Sequence, residues 1–143
     1  MVPKKKVHKL SFDYENDFLL VGIASHENDY RISWALNKQL GWKLIKGNDF
    51  KINHPKLKVQ ANYSMYHYLN DNDLYSYHLI SNKSERGFLL PDLKNIDYIL
   101  KISGEVNADV VDAIVQKIKK IDIIITAFTL EEISDRLHKM FVF

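Results

Sequence analysis

The alternation across residues 65–79 constrains this chain more than any other feature. Met65-Tyr66-His67-Tyr68-Leu69 and Tyr75-Ser76-Tyr77-His78-Leu79 change character at nearly every step, on either side of the polar loop Asn70-Asp71-Asn72-Asp73. A period of two is the repeat of a β-strand, and Asn and Asp favour the turn that reverses one. Residues 57–69 and 74–81 are therefore expected to form an antiparallel hairpin. With Leu69 opposite Leu74, Tyr68 faces Tyr75 and Tyr66 faces Tyr77. Four tyrosines then share one face, and Met65, His67, Ser76 and His78 share the other.

The surrounding chain supplies further strands and the helices to cover them. Residues 8–13 and 18–24 read as strands separated by a Tyr14-Glu15-Asn16-Asp17 turn, the second apolar on both faces as a central strand is. A helix follows, with Ser25 as the expected N-cap and Glu27 and Asp29 where the helix dipole favours acids. Its inner stripe is Ile32, Ala35, Leu36 and Leu40, flanked by Tyr30 and Trp34 at i,i+4 spacing, and Gly41 ends it. Residues 42–46 and 50–52 read as short strands around Gly47-Asn48-Asp49, and Asn53-His54-Pro55-Lys56 as a turn. After Gly87, residues 96–103 return to strand and Gly104 ends it. Asn107 caps an amphipathic helix carrying Val110, Val111, Ile114, Val115 and Ile118 on one face. Residues 121–128 read as a buried strand, and Thr129-Leu130-Glu131-Glu132 as a capping box that opens a last helix with Leu130, Ile133, Leu137 and Met140 inward.

That order predicts an α+β fold, a mostly antiparallel mixed sheet with two or three helices packed on it, loosely ferredoxin-like or ACT-like. The 143 residues have the length of one domain, with no linker or repeat dividing them, and residues 1–6 read as a flexible basic start. A globule of this size buries roughly 68–70% of its extended-chain surface, enough for a core without staples. The absence of cysteine excludes disulfides, thiolate chemistry and cysteine-bound metals. No apolar run reaches the roughly 18 residues of a membrane helix, and the basic start lacks the apolar segment of a secretory signal. A cytoplasmic location is the expectation, with no membrane partner.

The most distinctive motif is Leu90-Pro91-Asp92-Leu93-Lys94-Asn95-Ile96-Asp97-Tyr98. Proline holds Leu90 extended, a carboxylate just after it can accept backbone N–H groups, and Tyr98 can bury its ring and satisfy its hydroxyl on Asp97 or Asp92. The stretch resembles the signature of the IPExxxVDY family, a bacterial family named for this pattern. Pro91, Asp97 and Tyr98 match outright, while Leu90, Asp92 and Ile96 are close substitutions. The resemblance extends to Asp29-Tyr30-Arg31 and Ala35-Leu36-Asn37-Lys38. It brings no catalytic residue, substrate or cofactor with it. Pro91, Asp92, Asp97 and Tyr98 are accordingly candidates for a structural bend or a partner-binding surface, and Asp92, Asp97 and Tyr98 are the only candidates for acid–base chemistry, the last of the readings.

Other chemistry is sparse. The six histidines form no HExxH pattern. His67 and His78 would be diagonal neighbours in the hairpin, about 7–8 Å apart, and could seat a metal only if a carboxylate joined them; no metal and no cofactor is expected. The five glycines form no phosphate-binding spacing. Ser25-His26-Glu27 holds three triad residue types, but adjacent residues cannot converge, so it reads as a helix cap. Lys38, Lys43, Lys46, Lys51, Lys56 and Lys58 face one acid, Asp49, across their span. Lysine outnumbers arginine 17 to 3, against base-edge recognition by guanidinium, and the net charge is only +2.

The expected function is a non-enzymatic interaction or regulatory module, docking a protein partner or a second copy through a sheet face or edge near residues 90–98. Two alternatives stay open. An RNA-associated protein would use the lysines and a face of Tyr66, Tyr68, Tyr75 and Tyr77. An ACT-like ligand sensor would need a polar pocket around Ser25 and His26.

Overall fold

The computed structural model describes residues 18–54, 59–72 and 74–143, so the basic start at 1–6, the strand expected at 8–13, the turn after it, and Pro55 and Lys56 of the 53–56 turn lie outside the described residues. A six-stranded sheet organises the rest. Its strands are β1 (Phe18–Ala24), β2 (Ile45–Lys46), β5 (Met65–Asn70), β6 (Tyr75–Ser81), β9 (Tyr98–Ser103) and β10 (Thr126–Thr129). Two further hairpins, β3 (Phe50–His54) with β4 (Val59–Tyr63) and β7 (Lys83–Ser84) with β8 (Gly87–Phe88), lie outside it. The helices are α1 (Asp29–Leu40), α2 (Ala108–Lys119) and α3 (Asp135–Met140).

The strand order is β10-β1-β9-β6-β5-β2, and every described ladder is antiparallel. β9 and β10, joined through α2, run parallel but flank β1 instead of touching. This split β-α-β connection gives the first four strands of the order a ferredoxin-like arrangement, which β5 and β2 extend. The α+β class and antiparallel sheet expected from the pattern are therefore present. A strand–helix–strand order suggests parallel pairing, but here an antiparallel strand occupies the middle.

Alternation assigns the two faces. Val21, Ile23, Leu79, Leu100 and Ile102 point to α1 and α2, packing with Ile32, Leu36, Val111, Val115 and Ile118. Leu20, Ile80 and Ile99 point the other way, against Phe50, Tyr63, Leu90, Ile96 and Phe141. The sheet is thus covered on both sides, by helices on one and by β3–β4, the 89–97 loop and the α3 region on the other. Gly22 is required by that second layer. A Cβ on it would lie 2.6 Å from Ile96 Cδ1.

Several expectations are corrected. The 57–69 strand divides at Ser64, because β4 pairs with β3 while β5 joins the main sheet. The reason is visible in the even positions: Gln60 and Asn62 are polar and exposed, whereas Tyr66 and Tyr68 are aromatic and packed. The hairpin register also differs by two residues. Tyr68 faces Tyr77, Asn70 faces Tyr75, Tyr66 faces Leu79, and His67 lies directly opposite His78. Leu74 belongs to the loop, with φ +61° and its N–H donating to the Asn70 carbonyl at 2.8 Å, so pairing starts one residue later on each strand. A shift of two preserves parity, so the four tyrosines still share a face.

Helix boundaries move for local reasons. Asn28, not Ser25, caps α1, accepting from Arg31 N–H, while Gly41 closes it in the left-handed region as expected. Asn107 caps α2 as expected. The 121–128 strand shortens to β10, because the chain from α2 comes in through turns, with the Ile121 and Ile124 N–H groups donating to the Ile118 and Ile121 carbonyls. Thr129 is the last residue of β10 and opens no helix; Ser134 caps α3 by accepting from Leu137 N–H.

The Gly22–Ile96 contact yields a quantitative prediction. Gly22→Ala should destabilise the fold by about 1–3 kcal/mol through overpacking, measured by urea denaturation. Ile96→Val, which removes the closest methyl, should recover part of that loss in the double variant.

Candidate functional site

Residues 90–98 are clamped from two sides, by groups the motif itself does not contain. Asn82 is fully buried, and its side chain makes three hydrogen bonds: Nδ2 donates to the carbonyls of Leu93 (3.1 Å) and Ile96 (2.8 Å), and Oδ1 accepts from Leu90 N–H (2.7 Å). Its backbone adds bonds to Asp97 O and Leu89 N–H. Around it Pro91–Leu93 forms one 3-10 turn, closed by Leu93 N–H to the Leu90 carbonyl. Leu90 and Ile96 are buried in the second core.

The second half of the motif fixes the β1–α1 junction. Asp97 Oδ2 accepts from Ser25 N–H at 2.9 Å, and its other oxygen lies 3.4 Å from Lys83 Nζ. The Tyr98 hydroxyl donates to the Glu27 carbonyl, neither to Asp97 nor to Asp92 as the sequence suggested. Burial, with Asp29 and Asp97 adding, holds that phenol well above its usual pKa, so it stays a donor. Ser25 is itself buried and donates to the Ile123 carbonyl at 2.7 Å. The junction where a ligand sensor would need a polar pocket is therefore filled by protein. Pro91 and Asp92 are exposed on the turn, apart from the committed Asp97 carboxylate. Pro91 and Asp92 thus lie on the 3-10 turn, while Asp97 precedes and Tyr98 opens β9.

The tyrosine face is also committed. Tyr66 and Tyr77 are buried in the helix-side core, with Tyr68 and Tyr75 packed against it. Trp42 stacks on Tyr77 at 4.0 Å, and Tyr68 on Tyr77 at 5.8 Å. No open stacking platform for bases remains there. The lysines disperse as well: Lys46 approaches Asp49 (3.7 Å) and Asp29 (4.0 Å), Lys43 and Lys51 are exposed elsewhere, and Lys56 and Lys58 lie outside the described residues.

What α1 leaves uncovered is more informative. Ile32, Ala35 and Leu36 turn inward, which places Tyr30, Trp34 and Lys38, each one turn apart, on the outer flank. Tyr30 is 66% exposed and Trp34 54%, and Lys38 Nζ lies 5.1 Å from the Trp34 ring centre. Beside Trp34 runs a shallow groove of about 310 Å³ between α1 and the residues after α2, lined by Arg31, Lys38, Lys120, Ile121 and Asp122 among others. Three cations and one carboxylate border an exposed indole. The sequence placed Tyr30 and Trp34 beside the buried stripe; Lys120 joins them only through the packing of α2 on the sheet.

Sequence reading missed a second group altogether. Lys101, in the middle of β9, is 1% exposed and lies opposite His78. No described Asp or Glu side chain pairs with it; its Nζ donates to the Phe143 main-chain oxygen at 3.3 Å. Burial lowers its pKa from 10.5 to about 8. Burial, then Lys101 and His67, lower His78 from 6.5 to about 4. His67 and His78 stack at 6.3 Å, and among the described residues no group of three metal-ligating side chains forms around them.

Comparison with protein-family models, with curated proteins and with solved structures gives no match to this chain. Function is therefore argued from these side chains. Among the described residues, no helix is long and apolar enough to cross a membrane.

Two predictions follow the polar groups. Asn82→Ala strands one N–H and two carbonyls in the interior, which should cost about 3 kcal/mol or more and release hydrogen-exchange protection at Leu90 first. Stability should also rise with pH in two windows. Between about 4 and 6.5 the unfolded chain binds a proton that native His78 refuses, and between about 8 and 10.5 the same holds for Lys101. Denaturation midpoints across pH should show both limbs, with Lys101→Met flattening the alkaline one.

Proposed function

We propose that this protein is a non-enzymatic interaction module that docks an acidic segment of a protein partner on the outer flank of α1. The observation that carries this reading is the exposed Tyr30–Trp34 pair beside the groove edged by Arg31, Lys38 and Lys120. Scattered exposed apolar residues need no explanation. Two large aromatics one helical turn apart, next to a concavity, have the composition of an interface anchor. The rim cations select the partner's sign, because they attract carboxylates and repel other cations. A second copy docking through the same flank would bring Arg31 and Lys38 against their own counterparts, which favours a different partner. Docking moves here from the sheet because both sheet faces are covered.

A photo-crosslinking residue at Gln39, in the groove, should capture a partner from native lysate, and one at Asn95, on the 90–98 turn, should not. Peptide mapping should place the crosslink in an acidic segment. With that partner purified, Trp34→Ala should weaken binding by about 2 kcal/mol, some thirtyfold, while thermal stability changes little because the ring is exposed. Lys38→Glu with Lys120→Glu should weaken it further and reduce the salt dependence. Equal capture at both positions, or unchanged affinity of the Trp34 variant, would rule the reading out.

A further inference from the structure

The sheet face opposite the helices carries polar groups that neither the fold nor the α1 flank uses. Lys101 of β9 sits between His78 of β6 and Leu20 of β1, with Ser103 two positions along on the same face. Its Nζ has two contacts of consequence: the Phe143 ring centre at 3.6 Å and the Phe143 main-chain oxygen at 3.3 Å. Phe18 closes the other side at 5.1 Å. On the same face, two buried polar atoms, His78 Nδ1 and Ser103 Oγ, have no hydrogen-bond partner among the described residues. Buried polar atoms are normally satisfied, and buried charges are paired. Two unsatisfied polar atoms thus share one patch of sheet with an ammonium that a single described oxygen holds.

Phe143 indicates what that occupant is. Its ring lies in a notch made by Lys101, by the His78 edge at 5.0 Å and by Phe50 at 5.3 Å. Yet Phe143 remains 49% exposed, whereas Phe141, two residues earlier, is fully buried and its N–H donates to the Leu137 and His138 carbonyls of α3. Phe141 anchors the segment and Phe143 only covers the lysine. We propose that Lys101, His78 and Ser103 form a binding site for a small aryl carboxylate, and that Phe143 is its built-in, displaceable occupant. An aryl carboxylate presents the same ring-and-oxygen pair that Phe143 presents. Its two oxygens offer about four acceptor positions, enough to take Lys101 and also the Ser103 hydroxyl or an Nδ1–H of His78. A carboxylate in this low-dielectric patch gains a charge-assisted bond that Coulomb attraction makes stronger than in water. Access runs along the partly exposed His78 and Ser76, past exposed His67 and Leu69 on the neighbouring strand.

The test uses 3-phenylpropionate as the probe and the full chain. Phe143→Ala should bind it saturably, at least tenfold tighter than the unsubstituted protein, read as a concentration-dependent rise in Tm and as a shift of the Lys101 side-chain amine signal by NMR. The neutral analogue 3-phenylpropanol should bind at least tenfold more weakly, since it cannot pair with the ammonium. Lys101→Met in the Phe143→Ala background should abolish binding. If that double variant fails to fold, the Lys101 amine signal in Phe143→Ala decides alone. An unmoved Lys101 signal on adding the acid, or equal affinity for acid and alcohol, would overturn the proposal. So would binding that survives loss of the lysine.

Discussion

The side chain of Asn82 holds the second layer of this fold in place. A loop crossing a sheet face buries backbone groups that no ladder satisfies, and each one left bare would cost on the order of 1–3 kcal/mol. Three of those groups in residues 90–96 converge on one primary amide. An amide offers donors and an acceptor within one rigid plane, so Asn82 can hold an N–H and two carbonyls at once. With the loop fixed, Ile96 reaches Gly22 at the closest approach a side chain permits, and Asp97 and Tyr98 reach the β1–α1 junction. The start of α1, and hence the direction in which Tyr30 and Trp34 point, depends on that chain of contacts. The structural role of residues 90–98 is thus linked to the proposed docking surface, because the motif fixes the junction from which α1 starts.

Covering both faces of the sheet decides where function can reside. A half-open antiparallel sheet offers an aromatic face to ligands, but here helices take one side and β3–β4, the 89–97 loop and α3 take most of the other. Surface chemistry is displaced to the helix flank and to the corner where the second layer ends. The flank is cationic and aromatic, suited to a macromolecular edge. The corner holds a buried amine and two unsatisfied atoms, suited to something small. Two features with different length scales imply separate roles, and neither needs the other's occupant.

Much of this was legible in the sequence, and the failures share a cause. Period-two alternation in 65–79 fixed which side chains share a face, because parity survives a register shift of two. It could not fix the register, since Leu74 looks like a strand residue until its left-handed backbone is known. The caps at Asn107 and Gly41 were readable from local chemistry. Thr129-Leu130-Glu131-Glu132 had equally good local chemistry and failed, because Thr129 is taken by pairing with Val21 across β1. Asn82 was invisible for a related reason: in Ser81-Asn82-Lys83-Ser84 it resembles any loop asparagine, and its partners lie 8 to 14 residues away. Lys101 did carry a signal. A cation in the run Tyr98-Ile99-Leu100-Lys101-Ile102 breaks the pattern of a strand buried on both faces.

That break bears on why Lys101 stands in the core. Apolar residues of similar volume replace buried charges with neutral or favourable effect in many proteins, so a methionine in β9 would serve packing at least as well. Lysine instead leaves the native state with an amine that burial pushes toward its neutral form, and the imidazole opposite it suffers the same pressure. The lysine's lowered pKa costs stability below about pH 8, and the imidazole's only below about 6.5. A purely structural account has to explain that penalty by what Phe143 returns, and a half-exposed ring with one oxygen returns little. An anionic occupant would relieve both bases at once, since each gains from a negative charge at the same point. The destabilisation and the proposed site would then be two consequences of one arrangement, since a ligand that binds the native state stabilises it.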